Sequence, residues 1–218
     1  MNDTAINAKE RKVLSDSDID FLKRAVREYY TEKRYAHALS VETEAIKLGQ
    51  TFLPDRINSL RAAALLHDIT KKYNYEKQLQ CCADFGIILN NPVSPEILHA
   101  VTGASVAERD FPAYTDTDIL NGIRWHTTGR WGMTVFESII FIADYIEPLR
   151  TYEKCVAVRN GLYTELDSAK TDAEQIKALN HAVVQSLDNT ITYLIDKKTI
   201  IDIDTVSARN YYLAEKKL

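Results

Sequence analysis

The chain has 218 residues, 45% of them hydrophobic, and a formal charge of −4 at pH 7. That length suits one large domain, or one domain with a modest extension, with ample material for a buried core. The mild acidity gives no general basis for holding nucleic acid or an anionic membrane, so any anion recognition must come from a local cluster of cations.

In chain order, residues 1–15 are polar, lack the apolar segment of a secretory signal, and read as a flexible arm. Ser15 and Asp18 have capping-box spacing and open a helix through Ile19, Leu22, Ala25, Val26 and Tyr29. A second helix is predicted over 35–51, with Ala38, Leu39, Val41, Ala45, Ile46 and Leu48 facing inward. Pro54 suits the start of a third, over 55–68. A fourth, over 75–85, stops at Gly86, and Ser94-Pro95 opens a fifth containing His99. Residues 116–126 read as helical, 127–132 as a loop, and 134–147 as a helix ended by Pro148. Two more helices are predicted between 152 and 197, then a connector over 200–203 and a last helix capped by Asp204-Thr205. With seven glycines, five prolines and no repeats, the expectation is an all-α protein: an arm over 1–15 and a single domain over 16–218.

The apolar run near Phe141 is interrupted by Asp144 and Glu147, short of the roughly 20 residues that span a bilayer. Cys81, Cys82 and Cys155 are odd in number and show no CxxC spacing, which argues against a disulfide framework. A soluble, cytoplasmic protein is expected.

The chemistry begins at Leu65-Leu66-His67-Asp68, where an imidazole and a carboxylate end an apolar stretch. Taking a charge out of water without a partner costs several kcal/mol, and a metal ion would satisfy both groups. Asp144, at the end of Ile139-Ile140-Phe141-Ile142-Ala143, makes the same demand. With His37 these residues form a His, His-Asp, Asp set suited to a divalent first-row ion, with positions left for water or substrate. Neighbouring helical residues point about 100° apart, so His67 and Asp68 can share an ion only near a helix end. Taken singly, each signal is weak: a lone His37 is more often a satisfied core or surface histidine, and Asp144 alone fits a carboxylate bonded to Arg or Tyr. His99 and His126 read as a surrounding layer, a second-metal pair, or substrate contacts. His126 lies in Trp125-His126-Thr127-Thr128-Gly129-Arg130, whose hydroxyls, glycine turn and guanidinium suit phosphate oxygens; the alternative is an ordinary polar turn. Lys71 and Lys72 are within reach of a phosphate at the metal or form a solvated pair. Arg150 and Arg209-Asn210 are further anion-binding candidates, and His181 reads as structural.

The order His37, His67-Asp68, His99, His126, Asp144 resembles the HD-domain metal-dependent phosphohydrolase superfamily. More closely it resembles the YqeK-type branch, the symmetrical bis(5′-nucleosyl)-tetraphosphatases. The matching stretches lie at 34–39, 64–71, 123–130, 142–150 and 207–210, within about 19–213. His126-Thr127-Thr128-Gly129-Arg130 and Ala143-Asp144-Tyr145-Ile146-Glu147-Pro148 are the specific parts; His-Asp alone would indicate only the superfamily.

The resemblance implies an HD-domain helical bundle with its metal site between helices and extra C-terminal helices. It implies metal ligation by His37, His67, Asp68 and Asp144, with Fe first and Mn, Co, Ni or Zn as alternatives, and a second metal at His99 and His126 left open. Asp68, His99 and His126 would be catalytic. Substrate contacts would come from His99, His126, Thr127, Arg150, Arg209 and Asn210, joined by His37, Ser40, Lys71, Arg130 and Asp144. The implied activity is cleavage of diadenosine tetraphosphate to two ADP. The expected partner is then a dinucleoside polyphosphate or ADP-like ligand, with no DNA, RNA or membrane and a homodimer left open. Rival expectations are an HD phosphodiesterase or phosphatase on another nucleotide, a dinuclear oxygenase, and a non-catalytic nucleotide sensor.

Overall fold

A computed structural model describes residues 11–89 and 93–215, in which ten α-helices and no strands form. Ser15 caps α1 (Asp16–Ala25): its side chain accepts from the Asp18 amide while Asp18 reaches back to the Ser15 amide, the expected reciprocal pair. α2 (Glu32–Phe52) starts at Glu32 rather than at 35, because Thr31 caps it and accepts from the Arg34 amide. The extra residues bring Arg34 onto the same helix as His37, one turn before it.

A 3₁₀ turn at Pro54–Arg56 leads into α3 (Ile57–Leu66), shorter at both ends than the 55–68 expected. His67 is its C-cap and Asp68 lies in the turn beyond, so the pair stands at a helix end. α4 (Tyr75–Asp84) is closed by Gly86 at φ +64, where the Ile87 amide returns to the Cys82 carbonyl. α5 (Leu98–Asp110) follows a 3₁₀ turn at Pro95–Ile97, and α6 (Thr117–Trp125) is capped by Asp116. α7 (Val135–Ile146) is capped by Thr134 and stops before Glu147-Pro148. α8 (Glu153–Ser168) and α9 (Asp172–Asp196) are the two helices expected between 152 and 197. α10 (Ile203–Glu215) starts one residue before its expected cap: Asp202, not Asp204-Thr205, caps it, accepting from the Asp204 amide.

The core is built around α3. Ala62, Ala63, Ala64, Leu65 and Leu66 are all fully buried, and this run of small residues lets α1, α2, α6 and α7 close around the helix. Val41, Ala45 and Leu48 of α2, Ile119 and Ile123 of α6, and Ile139, Ile140 and Ile142 of α7 fill the surrounding space. Ala178, Leu179 and Val183 of α9 and Ala208 and Tyr212 of α10 join the same apolar cluster. The Tyr212 hydroxyl is 2.8 Å from the Ser138 hydroxyl on α7. The C-terminal helices therefore continue the bundle instead of forming a separate appendage.

Residues 1–10 of the expected arm lie outside the described residues. Residues 11–15 are seated on the bundle: the Lys12 amide donates to Asp116 at 2.9 Å, and the Leu14 carbonyl accepts from Asn58 at 2.9 Å. No helix among the described residues is long and apolar enough to cross a membrane.

Candidate metal centre and its cleft

Four of the five histidines converge, most of them because a helix begins or ends there. His67 and His126 are the C-caps of α3 and α6, and His99 lies in the first turn of α5. Each of these three has Nδ1 2.7 Å from the carbonyl three residues earlier: Ala64, Ile123 and Glu96 respectively. A carbonyl only accepts, so each Nδ1 carries the proton and each Nε2 turns a lone pair inward. His37, on α2, has its Nδ1 3.2 Å from Glu147 Oε1, which fixes the same tautomer through a carboxylate. This outward pinning of one ring nitrogen is how proteins orient imidazoles toward a metal.

The rings form a chain, with centroids 5.3 Å apart from His37 to His67, 4.9 Å from His67 to His126 and 5.0 Å from His126 to His99. Asp68 stands in its middle. Its Oδ2 is 3.6 Å from His67 Nε2 and 3.9 Å from His37 Nε2, while its Oδ1 is 3.1 Å from His99 Nε2 and 3.7 Å from His126 Nε2. Asp144 closes the other end, with Oδ1 3.0 Å from His37 Nε2 and 3.9 Å from His67 Nε2.

Two ligand-spaced groups result, His37, His67 and Asp144, and His67, Asp68 and His126, with donor atoms within 4.8 Å of one another in each. The Nε2 atoms of His37 and His67 are buried without a hydrogen-bond partner, the 3.0 Å approach to Asp144 lacking hydrogen-bond geometry. An unsatisfied buried acceptor costs about 1–3 kcal/mol. Two inward Nε2 atoms flanked by two carboxylates, His67 as a free lone pair and His37 once its proton is displaced, fit a divalent first-row cation in both donor type and charge. The Nε2 atoms of His99 and His126 face each other at 3.1 Å, an arrangement that needs a proton or a cation between them.

Burial and neighbours set the protonation. Burial pulls His67 and His99 down to about 4, so both are neutral at pH 7. His37 goes the other way: burial opposes its charge, yet the carboxylates of Asp144 and Glu147 beside it lift it to about 9. Asp68 and Asp144 lie well below the usual carboxylate range. Burial would raise both, but His67 beside Asp68, and Arg150 and His37 beside Asp144, prevail.

The centre forms part of the floor of a cleft of about 670 Å³. Lys71, His99, His126, Thr127, Asp144 and Arg150 line it, with the Thr127 hydroxyl 3.4 Å from His99 Nε2. His37 and Ser40, also expected to contact substrate, do not line it; both bond Glu147 instead. Arg130 is held by Glu137 through two hydrogen bonds of 2.8 Å, Arg209 is bonded to Asp188, and Asn210 is exposed, all three off the cleft. His181 pairs with Glu165 at 2.9 Å, away from the centre. A second cleft of about 620 Å³, lined by residues 11–14, Pro54 and Arg56, holds no histidine, and Arg56 there is already bonded by Asp116 and Asp118.

Three participants escape the sequence reading. Arg34 lines the cleft and places Nη1 3.2 Å from Asp68 Oδ2; its signal was its position one turn before His37. Glu147 holds His37 from behind. The third is a wall supplied by Thr190, Tyr193, Leu194 and Lys197 of α9, whose spacing along one helix face was the available clue.

The HD domain family model matches residues 34–149, which include His37, His67, Asp68 and Asp144. The symmetrical bis(5′-nucleosyl)-tetraphosphatase of Bacillus subtilis is 35% identical over 192 residues, 87% of this chain and 94% of the relative. That of Staphylococcus aureus is 34% identical, covering 89% and 94%. This chain belongs to the HD-domain family, in the branch of the symmetrical bis(5′-nucleosyl)-tetraphosphatases. A crystal structure from Clostridium acetobutylicum, described as an HD superfamily hydrolase involved in NAD metabolism, matches this HD-domain chain with a TM-score of 0.78. It is 33% identical, with 90% of this chain and 97% of that one covered.

Proposed function

We propose that this HD-domain protein hydrolyses diadenosine tetraphosphate to two ADP at the His/Asp centre. The ion would be held by His37, His67, Asp68 and Asp144, with iron first among Fe, Mn, Co, Ni and Zn. Residues 16–218 would act as one unit, and the three unpaired cysteines fit a cytoplasmic setting. What carries the proposal is the pair of buried, partnerless imidazole nitrogens flanked by two carboxylates on the floor of a cleft rich in cations.

A divalent ion bound there supplies a water nucleophile at neutral pH and offsets phosphate charge. The protein supplies position and field. Arg34, Lys71 and Arg150 present cations to the phosphate oxygens, and Thr127 offers a hydroxyl on the same floor. The water oxygen joins one central phosphorus while the bond from that phosphorus to the central bridging oxygen breaks. The bridging oxygen departs with the second ADP. With a proton carried between their facing Nε2 atoms, His99 or His126, both on the cleft floor, would donate a hydrogen bond to that departing oxygen.

Chromatography of the products of metal-loaded protein tests the proposal. Two ADP per substrate is the expected result; AMP plus ATP, or no turnover, overturns it. The placement of Asp68 between two imidazole pairs favours a second reading, with a further ion at His99 and His126. About two ions per chain by metal analysis supports that variant, and one excludes it. Oxygen uptake without nucleotide cleavage would instead favour a dinuclear oxygenase, and nucleotide binding without turnover a sensor.

A further inference from the structure

We infer that the end of α9 around Tyr193 is the seat of a nucleobase, held by stacking on the tyrosine ring; this rests on the function proposed above. The floor of the cleft around the centre is ionic, whereas the wall lined from α9 also offers aromatic and aliphatic surface. Thr190, Tyr193 and Leu194 of α9 and its C-cap Lys197 stand at i, i+3, i+4 and i+7, one helix face, and Thr199 and Ile200 extend that wall.

Polyphosphate alone would be served by cations and hydroxyls. This wall instead carries a phenol ring 56% exposed, with Ile200 47% exposed and Leu194 half-buried beside it. Further back on α9, Leu179, Ala182, Val183 and Leu187 are spent on the core, so the exposure of Tyr193 belongs to the helix end that overlooks the cleft. Lys197 Nζ lies 5.8 Å from the ring centroid, leaving a cation beside the aromatic face.

A nucleotide anchored by its phosphates on Arg34, Lys71 and Arg150 must send its nucleoside along the cleft. At about 670 Å³, the cleft is large enough for a ligand of nucleotide size. Every nucleobase offers a flat π-face, and base–aromatic stacking tolerates any base because it needs no edge contacts. The chemical class fits both ends: anionic phosphate to the floor, planar heterocycle to the wall.

Calorimetric binding of ADP and of inorganic triphosphate to metal-loaded protein tests this without any turnover. Tyr193→Ala is expected to weaken ADP by at least about fivefold, the lower bound for losing one base–aromatic stack, while leaving triphosphate binding unchanged. Tyr193→Phe, which keeps the ring, should bind ADP like the wild type. With diadenosine tetraphosphate, Tyr193→Ala should raise KM and leave kcat near its original value. Unchanged ADP affinity, or equal weakening of ADP and triphosphate, overturns the stacking seat. Symmetrical cleavage by the wild type together with either of those results would sink the seat and leave the reaction standing. Tyr193-dependent ADP binding without cleavage would do the reverse.

Discussion

Glu147 shows how much a site can depend on a residue that faces away from it. Its Oε1 takes the His37 Nδ1 proton at 3.2 Å while its Oε2 accepts from the Leu149 amide at 2.6 Å, and it is almost wholly buried. Glu147→Gln keeps the shape but weakens the acceptor, and loss of such support commonly lowers metal affinity about 10- to 100-fold. A chelator-competition titration checks that, with circular dichroism confirming that the fold is kept. A second consequence concerns protons. His37, lifted to about 9, is charged at neutral pH and must release a proton to ligate. Apparent metal affinity should therefore climb roughly tenfold per pH unit between 7 and 9, as one proton is displaced, and level off above. A flat profile would remove His37 from the ligand set. His67, Asp68 and Asp144 were legible because each is a polar residue delivered by an apolar run. Arg34 and Glu147 were not, because their roles depend on side chains reaching between helices, which one chain's periodicity does not encode.

Among the elements, the contact of α2 with α3 carries His37 to the His67-Asp68 corner, and at Gly49 side chains of α3 pack directly against the α2 backbone. A Cβ on Gly49 would lie 2.6 Å from Leu60 Cδ1 and 2.8 Å from Ile57 Cδ1. Helix propensity favours alanine by about 1 kcal/mol. Leu60, however, is fully buried, and forcing extra volume into a filled core costs about 1–3 kcal/mol. Gly49→Ala should thus be neutral to destabilising by up to about 2 kcal/mol, the difference of those terms, measured by urea unfolding. A clear gain in stability would mean that the helices can part without cost. Helix identities were readable from caps and apolar spacing, as Ser15 and Gly86 show. Boundaries failed where capping chemistry overrode the apolar pattern: Thr31 starts α2 early, and Asp202 displaces Asp204 as the cap of α10.

For the whole molecule, the buried imidazoles tie stability to pH when no metal is bound. His67 and His99 titrate near 4 when folded against an ordinary 6.5, so between those values the unfolded chain binds the extra protons. Their contribution is complete above pH 6.5 and is lost as pH falls toward 4. His37 has the opposite sign: its contribution is complete below 6.5 and is lost as pH rises through about 9. Thermal melting of metal-free protein should therefore peak near pH 6.5 and fall more steeply on the acid side, where two groups act instead of one. The residues expected to make C-terminal contacts stand off the cleft for a reason at this scale. The register of α10 turns Ala208 and Tyr212 into the core, which carries Arg209 to Asp188 on α9 and away from the cleft. Helical spacing was the one signal that α9, long and without a motif, would line the cleft.

Arg34 on Asp68 and Arg150 on Asp144 have one more effect. Each of these carboxylates already has a guanidinium counter-ion of its own, so a cation entering the proposed centre would meet a paired charge and not a bare one. Binding there would be an exchange of one cation for another, and part of its free energy would go into swinging the two arginines aside.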